Sequence, residues 1–153
     1  FYIKNGIFTI SLNITDWKLF SEKEDVCIIF KARTKDNITV AGFKLMGDVS
    51  SGNTTIQGIA YSPQGIHGKP LGKLSSIIKE DALSGTINDL NGPIGISVDY
   101  ENQSYTIFAN GKSTTVDAID NFTDVTIEKV RLSTENFSQP NFITFDDVSF
   151  IKN

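Results

Sequence analysis

The sequence predicts an all-β chain folded as a two-sheet antiparallel β-sandwich of jelly-roll type with little helix. Nine or ten short segments alternate apolar and polar residues with the period of two that marks a half-buried strand. The composition leans the same way: eleven Phe, four Tyr and frequent Ile, Val and Thr suit pleated surfaces, whereas helix formers are scarce. The dipeptide Asn110-Gly111, set between two alternating runs, is the strongest short hairpin signal, because a type I′ turn needs positive φ at both central residues.

In chain order, "GIFTISLNI" puts Phe8, Ile10, Leu12 and Ile14 on one face, and "DVCIIFKART" puts Val26, Ile28, Phe30 and Ala32 inward. Between them "TDWKLFSEKED" reads as a charged connection carrying the sole tryptophan. "NITVAGFKLMG" and "NTTIQGIAYS" form a pair joined by the turn residues of "GDVSSGN", with Gly42 at a bulge or close approach. From "SPQGIHGKP" through "LGKLSSIIKEDALSG" the alternation stops. Leu71, Leu74, Ile77 and Ile78 fit a short helix and fit equally a loop packed over a sheet edge.

Strands return at Pro93. "IGISVDY", "SYTIFAN" and "KSTTVDAI" make a three-stranded meander over residues 94–116, with Tyr105 and Phe108 assigned to packing. Two later strands slip phase. In "NFITFDDVSFI" the chain changes face near Asp146-Asp147, and in "VTIEKVRLST" Ile127 is out of phase with Val130 and Leu132, as β-bulges produce. No internal repeat or linker interrupts the chain, so residues 1–153 read as one sandwich module. The start at Phe1 without a methionine reads as a module excised from a larger polypeptide, or a processed chain.

The net charge of −4 argues against a nucleic-acid partner, which demands a basic surface. No apolar run approaches the ~20 residues of a membrane span, so no membrane insertion is expected. Cys27 is the single cysteine, which excludes an internal disulfide and a cysteine-rich zinc site. Its setting is that of a small strand residue. Six Asn-x-Ser/Thr sequons, at Asn13, Asn37, Asn53, Asn102, Asn121 and Asn136, arise readily in a chain this rich in Asn, Ser and Thr.

Catalytic chemistry finds little support. A glycosidase needs two carboxylates ~5–9.5 Å apart, and the nearest pairs, Glu22-Glu24 and Asp146-Asp147, fit surface charge or a structural role. A lyase would need a base such as a histidine beside a group that neutralises a uronate. His67, the only histidine, falls in a Gly/Pro-rich loop and fits an exposed loop residue. Saccharide binding requires flat apolar faces and planar polar groups. Trp17, which packing at the core or rim would explain as well, is the first candidate. Tyr61 at a strand end, Arg33 and His67 follow, with Lys44 also within reach of a ligand.

The run "IGISVDYENQSYTIFANGK", then "FTDVTIEKVRLST" and the closing "FITFDDVSF", resembles the C-terminal half of concanavalin A-like, laminin-G-like jelly rolls of bacterial extracellular glycan-degrading proteins. The matching residues are Val98-Asp99, Tyr105 to Lys112, Thr134 and Asp147-Val148. The match covers roughly the last 60 residues and consists of turn and core positions, so it speaks for architecture more than ligand. It implies a non-catalytic carbohydrate-binding module of the fructan-binding type, not an enzyme, within a secreted or cell-surface multidomain protein that holds an oligo- or polysaccharide. A protein-interaction or adhesion domain is the alternative, and a polysaccharide lyase or hydrolase comes third. The resemblance also implies a structural calcium, for which Asp146, Asp16 and Asp25 are acceptable oxygen donors.

Overall fold

The computed structural model describes residues 2–18, 26–48, 53–71, 93–109, 111–135 and 142–153. Ten strands run through them: β1 (Ile7–Lys18), β2 (Val26–Arg33), β3 (Thr39–Asp48), β4 (Asn53–Ala60), β5 (Lys69–Pro70), β6 (Ile94–Asp99), β7 (Ser104–Ala109), β8 (Lys112–Asp117), β9 (Lys129–Glu135) and β10 (Phe142–Lys152). They form two five-stranded antiparallel sheets, ordered β10-β1-β6-β7-β8 and β5-β4-β3-β2-β9. The chain is thus the two-sheet sandwich expected, with no helix among the described residues.

The inward set is the one that the alternation selects. Phe8, Ile10, Leu12 and Ile14 of β1 and Ile28, Phe30 and Ala32 of β2 are buried in one cluster with Phe43, Leu45, Ile56, Ile96, Val98 and Ile107. Phe30 and Phe43 meet edge to face at 5.8 Å, the arrangement that sets a ring's positive edge on its neighbour's negative face. One end of the sandwich is closed by Phe122, fully buried against Tyr100 and Tyr105 at 5.1 and 5.4 Å.

The meander is formed by β6, β7 and β8, and the pairing of Ala109 with Lys112 leaves a two-residue connection in which Gly111 takes φ +71°. At the other turn the Asp99 carboxylate accepts the backbone N–H groups of Asn102 and Glu101 and the Asn102 side chain, at 2.7–3.0 Å. These bonds, those from Asn102 foremost, hold Asp99 below the ordinary aspartate range.

The phase change in the last strand is a bulge. Ser11 faces Ser149 and Asn13 faces Asp146, so Asp147 and Val148 together oppose Leu12. Asp147 there adopts φ +47°, tolerated by an Asp and secured by an Asn13 Nδ2 donation to its carboxylate at 3.0 Å. Two expectations are corrected. β1 does not end before Trp17 but continues to Lys18, paired with Phe142, because β10 is long enough to template it. The slip around Ile127 is not a bulge within a strand: Ile127 bridges Ile3, and a regular ladder on β2 then starts at Lys129. Gly42 is the close approach and the bulge lies at its neighbour Val40, since Ala32 faces Ala41 while Arg33 faces Thr39. The helix-or-loop segment with Leu74, Ile77 and Ile78 lies outside the described residues.

Among the described residues, one buried side chain joins the two sheets by hydrogen bonds to backbone in the middle of this apolar interior. Tyr105 of β7 donates its hydroxyl to the Val40 carbonyl at 2.8 Å and accepts from Tyr61 N–H at 3.0 Å. Burial raises its pKa far above the ordinary tyrosine range, which keeps it a neutral donor and acceptor around neutral pH. Replacing Tyr105 with Phe strands both backbone groups, and unfolding in urea should show a loss of ~1–3 kcal/mol. A loss within error of zero would mean that the hydroxyl carries no stability. The Asp99 contribution is complete above the unfolded aspartate pKa and is lost as pH falls through the lowered folded value; Asp99→Ala should therefore flatten the acid limb of the stability curve.

Candidate functional site

Outward-facing positions of the β5-β4-β3-β2-β9 sheet follow from register. Ser133, Ile29, Lys44 and Gln57 form one row across β9, β2, β3 and β4. Arg131, Lys31, Gly42, Ile59 and Pro70 form the next, and Lys129, Arg33 and Thr39 the third. Two adjoining hollows of about 180 and 170 Å³ lie on these rows and share Ile29, Lys31, His67 and Glu135. Their shape is a shallow trough rather than a closed pocket.

Each part of the trough has a local cause. A Cβ at Gly42 would stand 2.8 Å from the Phe30 carbonyl and 3.0 Å from Lys31 Cγ, so only glycine lets the lysine stem lie flat across the floor. Ile29 and Ile59 are buried together on this outer face, apart from the main core, and form an apolar patch in the middle. The wall is the 61–70 loop. Its turns are closed by Gly65 N–H to Ser62 O and Gly68 N–H to Gly65 O, at 3.1 Å each. Gly68, at φ +76°, approaches Ala60 O and Ile59 so closely that no side chain would fit.

The Ile66 carbonyl is the loop's anchor. It accepts from Thr39 N–H at 3.3 Å, Thr39 Oγ1 at 3.0 Å and the Arg33 guanidinium at 3.5 Å, while the next carbonyl, that of His67, accepts from Lys31 Nζ at 3.3 Å. The bulge at Val40 swings Thr39 into this position. Arg33 is only 6 % exposed, and its Nε has no hydrogen-bond partner among the described residues.

The electrostatics are lopsided. Among the described residues, Lys31, Arg33, Lys44 and Arg131 share the trough with one carboxylate, Glu135, which Lys44 engages at 3.2 Å. Lys31 and Arg131 face one another directly across the β2/β9 ladder. Burial, and then the neighbouring Arg33, Lys44 and Arg131, push the Lys31 pKa below the 10.5 of an ordinary lysine, against the opposing pull of Glu135. Burial and Arg131 likewise lower that of Arg33.

A wider hollow of about 630 Å³ lies on the outer face of the other sheet, lined by Ser97, Ser104, Thr106, Thr115, Asp99 and Asp117 among others. Volume alone would favour it. Three of its hydroxyls are engaged, Ser97 with neighbouring Thr9 at 2.7 Å and Thr106 with Thr115 at 2.9 Å, and Asp99 is committed to its turn. In the basic trough, by contrast, the buried Arg33 Nε has no hydrogen-bond partner among the described residues.

Of the residues singled out by sequence, Arg33 and His67 come together in the trough, where Lys44 joins them. Tyr61 is half-buried and packs against the core. Trp17 sits in β1, in the opposite sheet, paired with Ile143, and its side chain lies outside what the structure describes. Asp146 is exposed on β10 opposite Asn13, and Asp16 pairs with Thr144 two positions along. Asp25 and the Asp16 side chain lie outside the described residues, among which no group of three metal-ligating side chains occurs. Lys31, Arg131, Ile29, Ile59 and Gln57 were missed: alternation places them outward, but only cross-strand register shows that they adjoin.

No protein-family model matches the chain, and comparison with curated proteins returns no significant match.

The cross-strand Lys31/Arg131 pair should cost stability. At low ionic strength Arg131→Gln is expected to stabilise the fold by ~0.2–1 kcal/mol, and the gain should shrink as salt screens the pair. Thermal melts at two salt concentrations measure this, and a destabilised variant would show that Arg131 is favourably paired.

Proposed function

We propose that the chain is a non-catalytic carbohydrate-binding module whose site is the trough on the β5-β4-β3-β2-β9 sheet. The observation that carries this reading is the apolar patch of Ile29 and Ile59 ringed by planar and charged polar groups: Arg33, Arg131, Gln57 and Glu135. A sugar ring has that same duality, an apolar C–H face and a hydroxyl rim, and an open trough admits a chain at any point along its length. The hollows together lie just above the ~300 Å³ at the lower end of ligand sites, which suits one or two sugar units held weakly rather than a deeply enclosed substrate.

Hydrolysis by a carboxylate pair draws no support from the residues lining this trough. Glu135 is the only carboxylate among the described residues that line it, and it is committed to Lys44. Binding without turnover serves to raise the concentration of whatever the module is joined to on a polymer surface, which fits the secreted or cell-surface setting that the resemblance implies. A structural calcium stays part of this proposal, tested by a rise in thermal midpoint on adding the ion.

Affinity electrophoresis through gels containing fructan, galactan or uronate polymers tests the reading. Retardation by at least one polymer is expected. Gln57→Ala, a half-buried position on the trough, should weaken it several-fold, whereas Thr115→Ala on the opposite face should leave it unchanged. Loss in Thr115→Ala alone would move the site to the other sheet, and a flat response to every polymer would overturn the proposal.

A further inference from the structure

We infer that the polymer held in this trough is an anionic polysaccharide, one bearing carboxylate or sulfate groups. The inference rests on the glycan-binding reading and gives its ligand a charge. Acidic residues outnumber basic ones by 18 to 14 over the chain, yet among the described residues four cations and a single carboxylate line the trough. Such segregation by sign on one face focuses the field at the point of binding.

Three of these cations sit where folding gains little from their charge. Lys31 opposes Arg131 across an antiparallel ladder, where like charges repel. Arg33 is buried without an acidic partner among the described residues, its guanidinium reaching only the Ile66 carbonyl, at 3.5 Å, and its Nε reaching nothing. Buried charges are ordinarily paired, so a missing counter-charge is a specific deficit that a ligand anion fills.

The heads are also preset. The consecutive carbonyls of Ile66 and His67 hold the Arg33 and Lys31 side chains against one wall, which lowers the ordering cost of binding. The neighbouring patch of Ile29 and Ile59 is aliphatic, suited to a sugar ring's C–H face. A single-stranded nucleic acid would call instead for a series of Phe, Tyr or Trp platforms; the described residues lining the trough supply none, and His67 is the one aromatic ring among them.

The test titrates the intact chain with polygalacturonate, a sulfated glucan, a neutral galactan, polyglutamate and a single-stranded oligonucleotide at low and high salt. One of the first two should bind about tenfold more tightly than the galactan, and that affinity should fall about tenfold at high salt. Which of the two binds better identifies carboxylate or sulfate as the group recognised. The double variant Lys31→Gln/Arg131→Gln should lose about tenfold in affinity with its thermal midpoint undiminished, since it removes a repulsion.

Galactan binding that matches the anionic polymers and ignores salt would overturn the inference while leaving the glycan reading intact. Equal binding of polyglutamate or the oligonucleotide would overturn both, leaving only a generic polyanion surface. Silence from all five polymers would overturn the inference outright.

Discussion

The hydroxyl of Tyr105 is the constraint on which the geometry of the trough depends. The interior between the sheets is otherwise a packing of aliphatic and aromatic side chains, which sets the separation of two sheets well but their lateral offset poorly. A directional bond from β7 to the Val40 carbonyl on β3, with Tyr61 N–H returned to the same oxygen, fixes that offset at one point. Val40 is itself the bulged residue of β3, skipped by β2 and lying beyond the last β3–β4 pair, Ala41 with Ala60. A buried backbone group freed from the ladder must find another partner, and Tyr105 supplies it.

From that bulge the trough follows by short steps. The extra residue at Val40 lets Thr39 bind the Ile66 carbonyl through both its N–H and its hydroxyl, which docks the 61–70 loop on the sheet and brings His67 to the trough's edge. The docked loop then offers carbonyls to Arg33 and Lys31. A polar clamp in the core and the placement of two cations on the outer surface are thus consecutive links of one hydrogen-bonded chain. The sheet face alone, without the loop, would present the same residues with nothing to orient them.

How far the sequence discloses this varies with the physics of each feature. Alternation is local, so Phe8 to Ile14 and Ile28 to Ala32 declare their inward faces directly, and Asn110-Gly111 declares its hairpin. The bulge at Asp146-Asp147 was legible because Phe145 and Val148, three residues apart, can lie on one face of a strand only if an extra residue enters the ladder between them. That β1 runs past Asp16 was not, since β10 holds this polar stretch in the sheet from more than a hundred residues away. The trough is harder still. Lys31, Arg131 and Ile59 are unremarkable singly, and their meeting depends on strand order, which pairs β2 with β9 across a hundred residues of chain.

Net charge is likewise an average that strand order refines. A value of −4 describes the average surface and disfavours anionic partners as a class. Binding, however, samples the potential within a Debye length, roughly 8–10 Å at physiological salt, about two strand spacings of a sheet. Around Lys31 the pairing register gathers Arg33, Lys44 and Arg131 against Glu135, the one carboxylate among the described lining residues, so the local balance of charge is opposite in sign to that of the whole chain.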